Sequence, residues 1–164
     1  MDELMHSTTF PLLALLAASV FTFFWYLDSK THTLLVQSDI SDPELRTHRI
    51  LILASGMMEC SLILMYWLRC EALALFIAAF ITRTAHEFID ELKFHVDRCT
   101  FRETLFHLIM WVSVLTKTFV LLIWGFFFHY EGVTNLPLWM YLWAALVVGC
   151  MGMISLKEWN QEKH

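Results

Sequence analysis

The sequence predicts an all-α integral membrane bundle of about five transmembrane helices, with its N-terminus outside and its C-terminus inside. Composition is the first observation. Of 164 residues, 58% are hydrophobic and only 16% are charged, whereas a soluble domain carries roughly 25% charged and about 45–50% apolar residues. The second is length. Four apolar stretches each reach the roughly 20 helical residues that cross a hydrocarbon core of about 30 Å, and backbone groups cannot be left unpaired in lipid, so these stretches should be helices. The third is the placement of positive charge, taken up below.

One domain, 1–164, is expected, with spans at about 10–27, 48–68, 72–95, 104–128 and 136–156. Pro11 suits the first turn of the opening span. Residues 1–9 carry Asp2 and Glu3 and no Lys or Arg, unlike the basic region of a cleavable signal, so this span is expected to remain. Asp28 to Asp42 reads as a polar connector. Ser41-Asp42-Pro43-Glu44 then reads as a helix start, with a capping side chain, a proline just inside and an acid at the positive end of the dipole. That helix should run through His48 to Leu68, and Arg69-Cys70-Glu71 should form a turn. The third helix begins apolar at Ala72 and continues through the polar run Thr82 to His95. A link near Val96 to Arg102 leads to the fourth span, and the fifth ends in the polar tail Lys157 to His164.

With the N-terminus outside, the inner connectors and tail hold Lys30, Arg46, Arg49, Lys93, Arg98, Arg102, Lys157 and Lys163, and the outer side holds Arg69 alone. This bias follows the positive-inside rule and requires an odd number of crossings. The polar third segment must therefore cross as well. A multi-pass protein of a bacterial-type inner cell membrane is expected. The net charge of −5 and the lack of a basic cluster give no support to nucleic-acid binding. Cys60, Cys70, Cys99 and Cys150 show no paired spacing and read as free small hydrophobes. Trp25, Trp67, Trp139 and Trp143 fall near span ends, as an aromatic belt requires.

On the third helix, Arg83, His86, Glu87, Asp90, Glu91 and His95 occupy about half the circumference, and Ala85, Phe88, Ile89 and Leu92 the other half. Charged side chains at membrane depth turn toward the bundle interior or a water-filled cavity. A solvated helix extension into the cytoplasm is the bland alternative. On the fourth helix, Glu103, His107, Met110, Ser113 and Lys117 share a face. On the second, His48, Ser55 and Glu59 do, since eleven residues is close to three turns. His48, Glu91, His95, Glu103 and His107 then lie near the inner surface, with Asp28 and His32 at the same level.

Glu91 with His95, and Glu103 with His107, form two i,i+4 pairs that could present carboxylate and imidazole to one ion. Mixed nitrogen and oxygen donors suit iron, zinc, manganese or copper better than a thiolate site, and bundle cores build such sites from facing helices. His48, His86 and Asp90 could complete the set or hold the imidazole tautomers. Glu87 and Asp90 are candidate catalytic carboxylates, with Glu87 a proton acceptor beside the ion.

The run His86-x3-Asp90-Glu91-x2-Phe94-His95-x2-Arg98-x4-Glu103-x3-His107 resembles a signature of small bacterial polytopic membrane proteins of uncharacterised activity, and implies no reaction. The layout Glu91-x3-His95-x11-His107 is similar to the acid-x3-His…His copper site of membrane methane and ammonia monooxygenases, an analogy of geometry alone.

Glu59, Arg83 and Lys117 fall near mid-membrane on three helices, where an isolated charge costs several kcal/mol. They read as a buried ion pair, Glu59 with Lys117 or Arg83, or as a proton route toward the inner cluster. His129, His6 and His164 read as interfacial or solvated. The leading expectation is a transition-metal-dependent membrane enzyme acting on a lipophilic substrate at the inner face, hydrolytic or oxidative. The alternative is a proton or metal transporter, channel or accessory subunit using the same polar face, either one in the bilayer as a homo-oligomer or within a membrane complex. A third is b-type haem binding through His48, His95 and His107.

Overall fold

Local capping chemistry decides where two of the helices begin. At Ser41 the backbone is extended, Pro43 occupies the first turn, and the Glu44 carboxylate reaches back to the Ser41 amide at 3.4 Å. At Thr100 a capping box is complete. The Glu103 carboxylate accepts from the Thr100 amide at 2.7 Å, and the Thr100 hydroxyl oxygen accepts from the Glu103 amide at 3.4 Å. Such reciprocal bonds satisfy donors that the first turn of a helix leaves open.

The computed structural model describes the backbone of residues 2–39, 41–95 and 100–160, and the side chains of residues 8–30, 41–94 and 100–160. Its helices are α1 (Asp2–Asp39), α2 (Asp42–Leu64), α3 (Arg69–Ile89), α4 (Phe101–Phe128) and α5 (Leu138–Trp159). A π-helical turn, Asp90–His95, extends α3, and a 3₁₀ turn, Val133–Asn135, precedes α5. Among the described residues all regular structure is helical, and all five helices are long and apolar enough to cross a membrane. The polar third segment is one of them, spanning Arg69–Phe94.

Three boundaries differ from the sequence reading. The first helix begins at Asp2, so Pro11 lies inside it rather than in its first turn. The segment read as a connector from Asp28 continues as helix to Asp39, because the stretch has no Pro or Gly to stop it. The second turn falls at 65–68, one step before Arg69, which opens α3 instead. Arg69 donates to the Phe126 carbonyl and lies over the Phe126 ring at 5.0 Å, tying the start of α3 to the end of α4.

α1 packs most extensively against α4 and also against α5, while α2 packs against α3. The shared core includes Met58, Leu62, Met65, Phe76, Val114 and Trp124. Outward faces remain apolar, as lipid allows: Phe23, Ile63, Leu92, Phe127 and Leu142 are exposed. Among the described residues Cys60, Cys70 and Cys150 are free thiols.

α4 ends at His129, which takes the left-handed conformation with φ 49°, followed by Tyr130 at φ 54°. This reversal folds the Tyr130 ring back against α4. Its hydroxyl donates to the Leu62 carbonyl at 2.6 Å and its ring meets Trp124 edge-on, with centroids 5.0 Å apart. Burial, with a smaller effect from the Glu59 charge, pushes the Tyr130 phenol above its ordinary range. The ring fits because position 125 is glycine. A Cβ there would lie 2.5 Å from the ring carbon bearing the hydroxyl. Gly125→Ala should therefore cost about 1–3 kcal/mol, the usual range for overpacking. Gly149→Ala, with nothing within 4 Å of the added carbon, should be neutral or slightly stabilising. Thermal unfolding of both variants in detergent checks the pair, and equal melting temperatures would contradict the lock.

Candidate functional site

Helix phase delivers polar side chains from all five helices to one cavity of about 330 Å³. α1 supplies Asp28. α2 supplies His48, Ser55 and Glu59, which its periodicity sets on one face. Arg83 and Glu87 come from α3, and Asp90 and Glu91 from the π-turn. α4 supplies His107 and Lys117, and α5 supplies Ser155 and Glu158. Neighbouring residues of an α-helix point about 100° apart. The wider π-turn lets both Asp90 and Glu91 reach the same space, and such turns recur at functional sites. From His48 to Glu59 the cavity follows α2 for about 16 Å at 1.5 Å per residue.

At the end of the bundle where α2 and α4 begin, two imidazoles meet carboxylates from other elements. His48 Nε2 lies 3.2 Å from Asp90 Oδ1. His107 Nε2 lies 3.1 Å from Asp28 Oδ1, and its Nδ1 lies 2.5 Å from Glu91 Oε1. Three separate elements thus converge on one ring, which can carry a proton on either nitrogen. Deeper in, Arg83 pairs in bidentate fashion with Glu87 and donates from Nε to Ser55 at 3.2 Å. Lys117, buried at 4%, pairs with half-buried Glu59. Six carboxylates face this cavity against Arg83 and Lys117. Its balance is acidic, so a cation or a mobile proton is favoured there over an anion.

The predicted site residues divide between this cavity and other tasks. Glu59, Arg83, Glu87, Asp90, Glu91, His48 and His107 line it. Glu103 does not. Its carboxylate is held at the Thr100 cap, a role that the T-x-x-E spacing could have signalled. His86 is partly exposed, lies outside the lining, and has a buried Nδ1 without a hydrogen-bond partner among the described residues. The His95 side chain and Arg98 lie outside the described residues. Among those described, no group of three or more His, Cys, Asp or Glu is arranged to hold a metal ion.

Two participants were missed. Asp28 was placed at the right level without a role, and Glu158 was read as part of a polar tail. Glu158 accepts a hydrogen bond from Trp25 Nε1 at 2.9 Å. Trp25 thus points its indole N–H into the bundle, and Trp143 likewise donates inward to Ser19 at 2.9 Å. A buried indole N–H needs an acceptor, and residues 133 and 124 positions away in sequence supply it. No local pattern carries such a signal.

The Lys117–Glu59 pair should behave as one unit. Lys117→Met leaves the carboxylate alone and should lose stability near the lower end of the ~3–5 kcal/mol typical for breaking a buried pair, since Glu59 keeps access to the cavity. The double variant Lys117→Met/Glu59→Gln should recover much of that loss. Melting temperatures of the two single variants and the double variant measure the coupling, and simple additivity would contradict it. No protein-family profile, curated protein or solved structure matches this chain.

Proposed function

We propose that the protein is a small proton transporter or channel, whose acid-and-imidazole cavity carries protons between one membrane face and the Glu59–Lys117 pair at mid-membrane. The carrying observation is the series of paired groups along that cavity: Lys117–Glu59 deepest, then Arg83–Glu87, then His48–Asp90 and the Asp28–His107–Glu91 cluster. Carboxylates and imidazoles, which can take up and release protons, lie here beside cations that hold carboxylates at depth. Chains of Asp, Glu and His inside membrane bundles commonly mark proton routes. Glu59 acts as the deep carrier and His107 as the exchange point near the mouth.

Arg46, Arg49, Lys93, Arg102 and Lys157 belong to the end of the bundle that carries His107, and Arg69 to the opposite end. By the positive-inside rule the mouth faces the cytoplasm of a bacterial-type cell, with the N-terminus outside. In proteoliposomes with a potassium diffusion potential, the protein should move protons faster than empty vesicles do. His107→Ala and Glu59→Gln should each slow that flux roughly tenfold or more, as loss of a positioned proton-transfer group does. His129→Ala, at the exposed end of α4, should leave it unchanged. Flux equal to that of empty vesicles would refute the relay.

A second reading, a transition-metal centre acting on a lipophilic substrate, draws on the same cluster. Asp28, Glu91 and His107 bring two carboxylates and an imidazole together from three elements, a donor set that suits iron, zinc or copper. His95, a further predicted ligand, has its side chain outside the described residues, and the relay stands first because it draws on every pair along the cavity. Elemental analysis separates them: about one metal per chain, lost in His107→Ala and kept in His129→Ala, favours the centre.

A further inference from the structure

A second cavity lies on the far side of the Glu59–Lys117 pair. It measures about 560 Å³, within the roughly 300–1,000 Å³ range of small-molecule sites, and sits between α1, α2, α4, α5 and the connector before α5. Buried Ala14, Ala18, Leu62, Trp124 and Val147 form its inner wall, and exposed Ile63, Tyr66, Trp67, Tyr141 and Val148 mark the side on which it opens toward lipid. Three of its polar neighbours donate to backbone, and two more, Tyr66 and Thr134, lie at its exposed rim. Tyr130 donates to the Leu62 carbonyl, Tyr141 to the Val133 carbonyl, and Trp124 to the Glu131 carbonyl. Glu59 and Lys117 are the charged groups in its described lining, and both also line the acidic cavity. The pair is a partition between an apolar chamber and a polar one.

We propose that the apolar chamber binds a neutral, lipid-soluble molecule with a hydroxyl-bearing head seated on the Glu59–Lys117 pair. The pair is already neutral as a whole. An anionic head would set a second negative charge beside Glu59 in a low-dielectric space, and a cationic head would do the same to Lys117. An ammonium has three donors, of which Glu59 engages one, and the Glu59 carboxylate accepts. A hydroxyl both accepts from the first and donates to the second. A bare hydrocarbon does neither. The apolar walls take the tail. The inference rests on the same ion pair as the relay but not on protons moving through it.

Equilibrium binding of tritiated 4-dodecylphenol to the protein in phosphatidylcholine nanodiscs tests it, with dodecylbenzene and dodecanoate as comparisons. The phenol should bind saturably, near one per chain, and about tenfold or more tighter than dodecylbenzene, the factor expected of a hydrogen bond to a charged group. Lys117→Met should remove that preference. Ala144→Trp, which fills the chamber from α5 without touching the pair, should weaken both neutral probes. Equal affinity for phenol and hydrocarbon in the unaltered protein would overturn the proposal, leaving a gap filled by any acyl chain. Tighter binding of dodecanoate would overturn it too, by showing that an anionic head is preferred. Binding is read without proton flux. Intact binding with no flux sinks only the relay, and flux without selective binding sinks only this site.

Discussion

The architecture depends on one constraint: an ionisable side chain at membrane depth must meet a partner or water. Burying a lone charge costs several kcal/mol, more than any single apolar contact returns. Lys117 on α4 is 4% exposed and Arg83 on α3 is 7% exposed. Each is held by a carboxylate, one on α2 and one a turn along its own helix. The imidazoles repeat the arrangement near the mouth, joining α2 to the π-turn and α4 to both α1 and the π-turn. Apart from Arg83–Glu87, these pairs join different helices, and Arg83 also donates to Ser55 on α2, so meeting this requirement fixes how the helices are rotated against each other. Apolar packing alone would leave that rotation loosely determined, since the outward faces are as greasy as the core.

Much of this could be read from the chain. The number of helices follows from apolar length and from the odd crossing count that the basic residues demand. The shared face of His48, Ser55 and Glu59 follows from helical period alone, and the three residues do line one cavity. Glu59 with Lys117 was one of two pairings open to a lysine, an arginine and one acid at a common depth.

What could not be read is instructive in physical terms. Glu103 looked like a ligand because it stands four residues before His107, yet its nearer obligation is the open amides at the start of its own helix. A capping box four residues long outranks a cluster that needs other helices to assemble. Glu158 and Asp28 reach the cavity only through the contact of α1 with α5 and α4, and nothing local encodes that contact. The π-turn at Asp90–His95 likewise escapes a reading that assumes 100° per residue throughout, although that period already sets Arg83, Glu87, Asp90 and Glu91 on one half of the helix and all four line the cavity.

The Glu59–Lys117 pair lines both chambers, one acidic and the other walled mostly by apolar side chains. Whether water enters the acidic chamber decides the account. Cysteine-scanning in a background without native thiols reads this directly, using a small membrane-impermeant thiosulfonate added from either side. Ser55→Cys, facing the acidic cavity, should be modified from the face bearing His107 and not from the face bearing Arg69. Leu53→Cys, exposed on the lipid side of the same helix, should stay unmodified from both. Equal labelling of the two cysteines, or labelling of Ser55→Cys from the Arg69 face alone, would contradict a water-filled cavity inside the bundle.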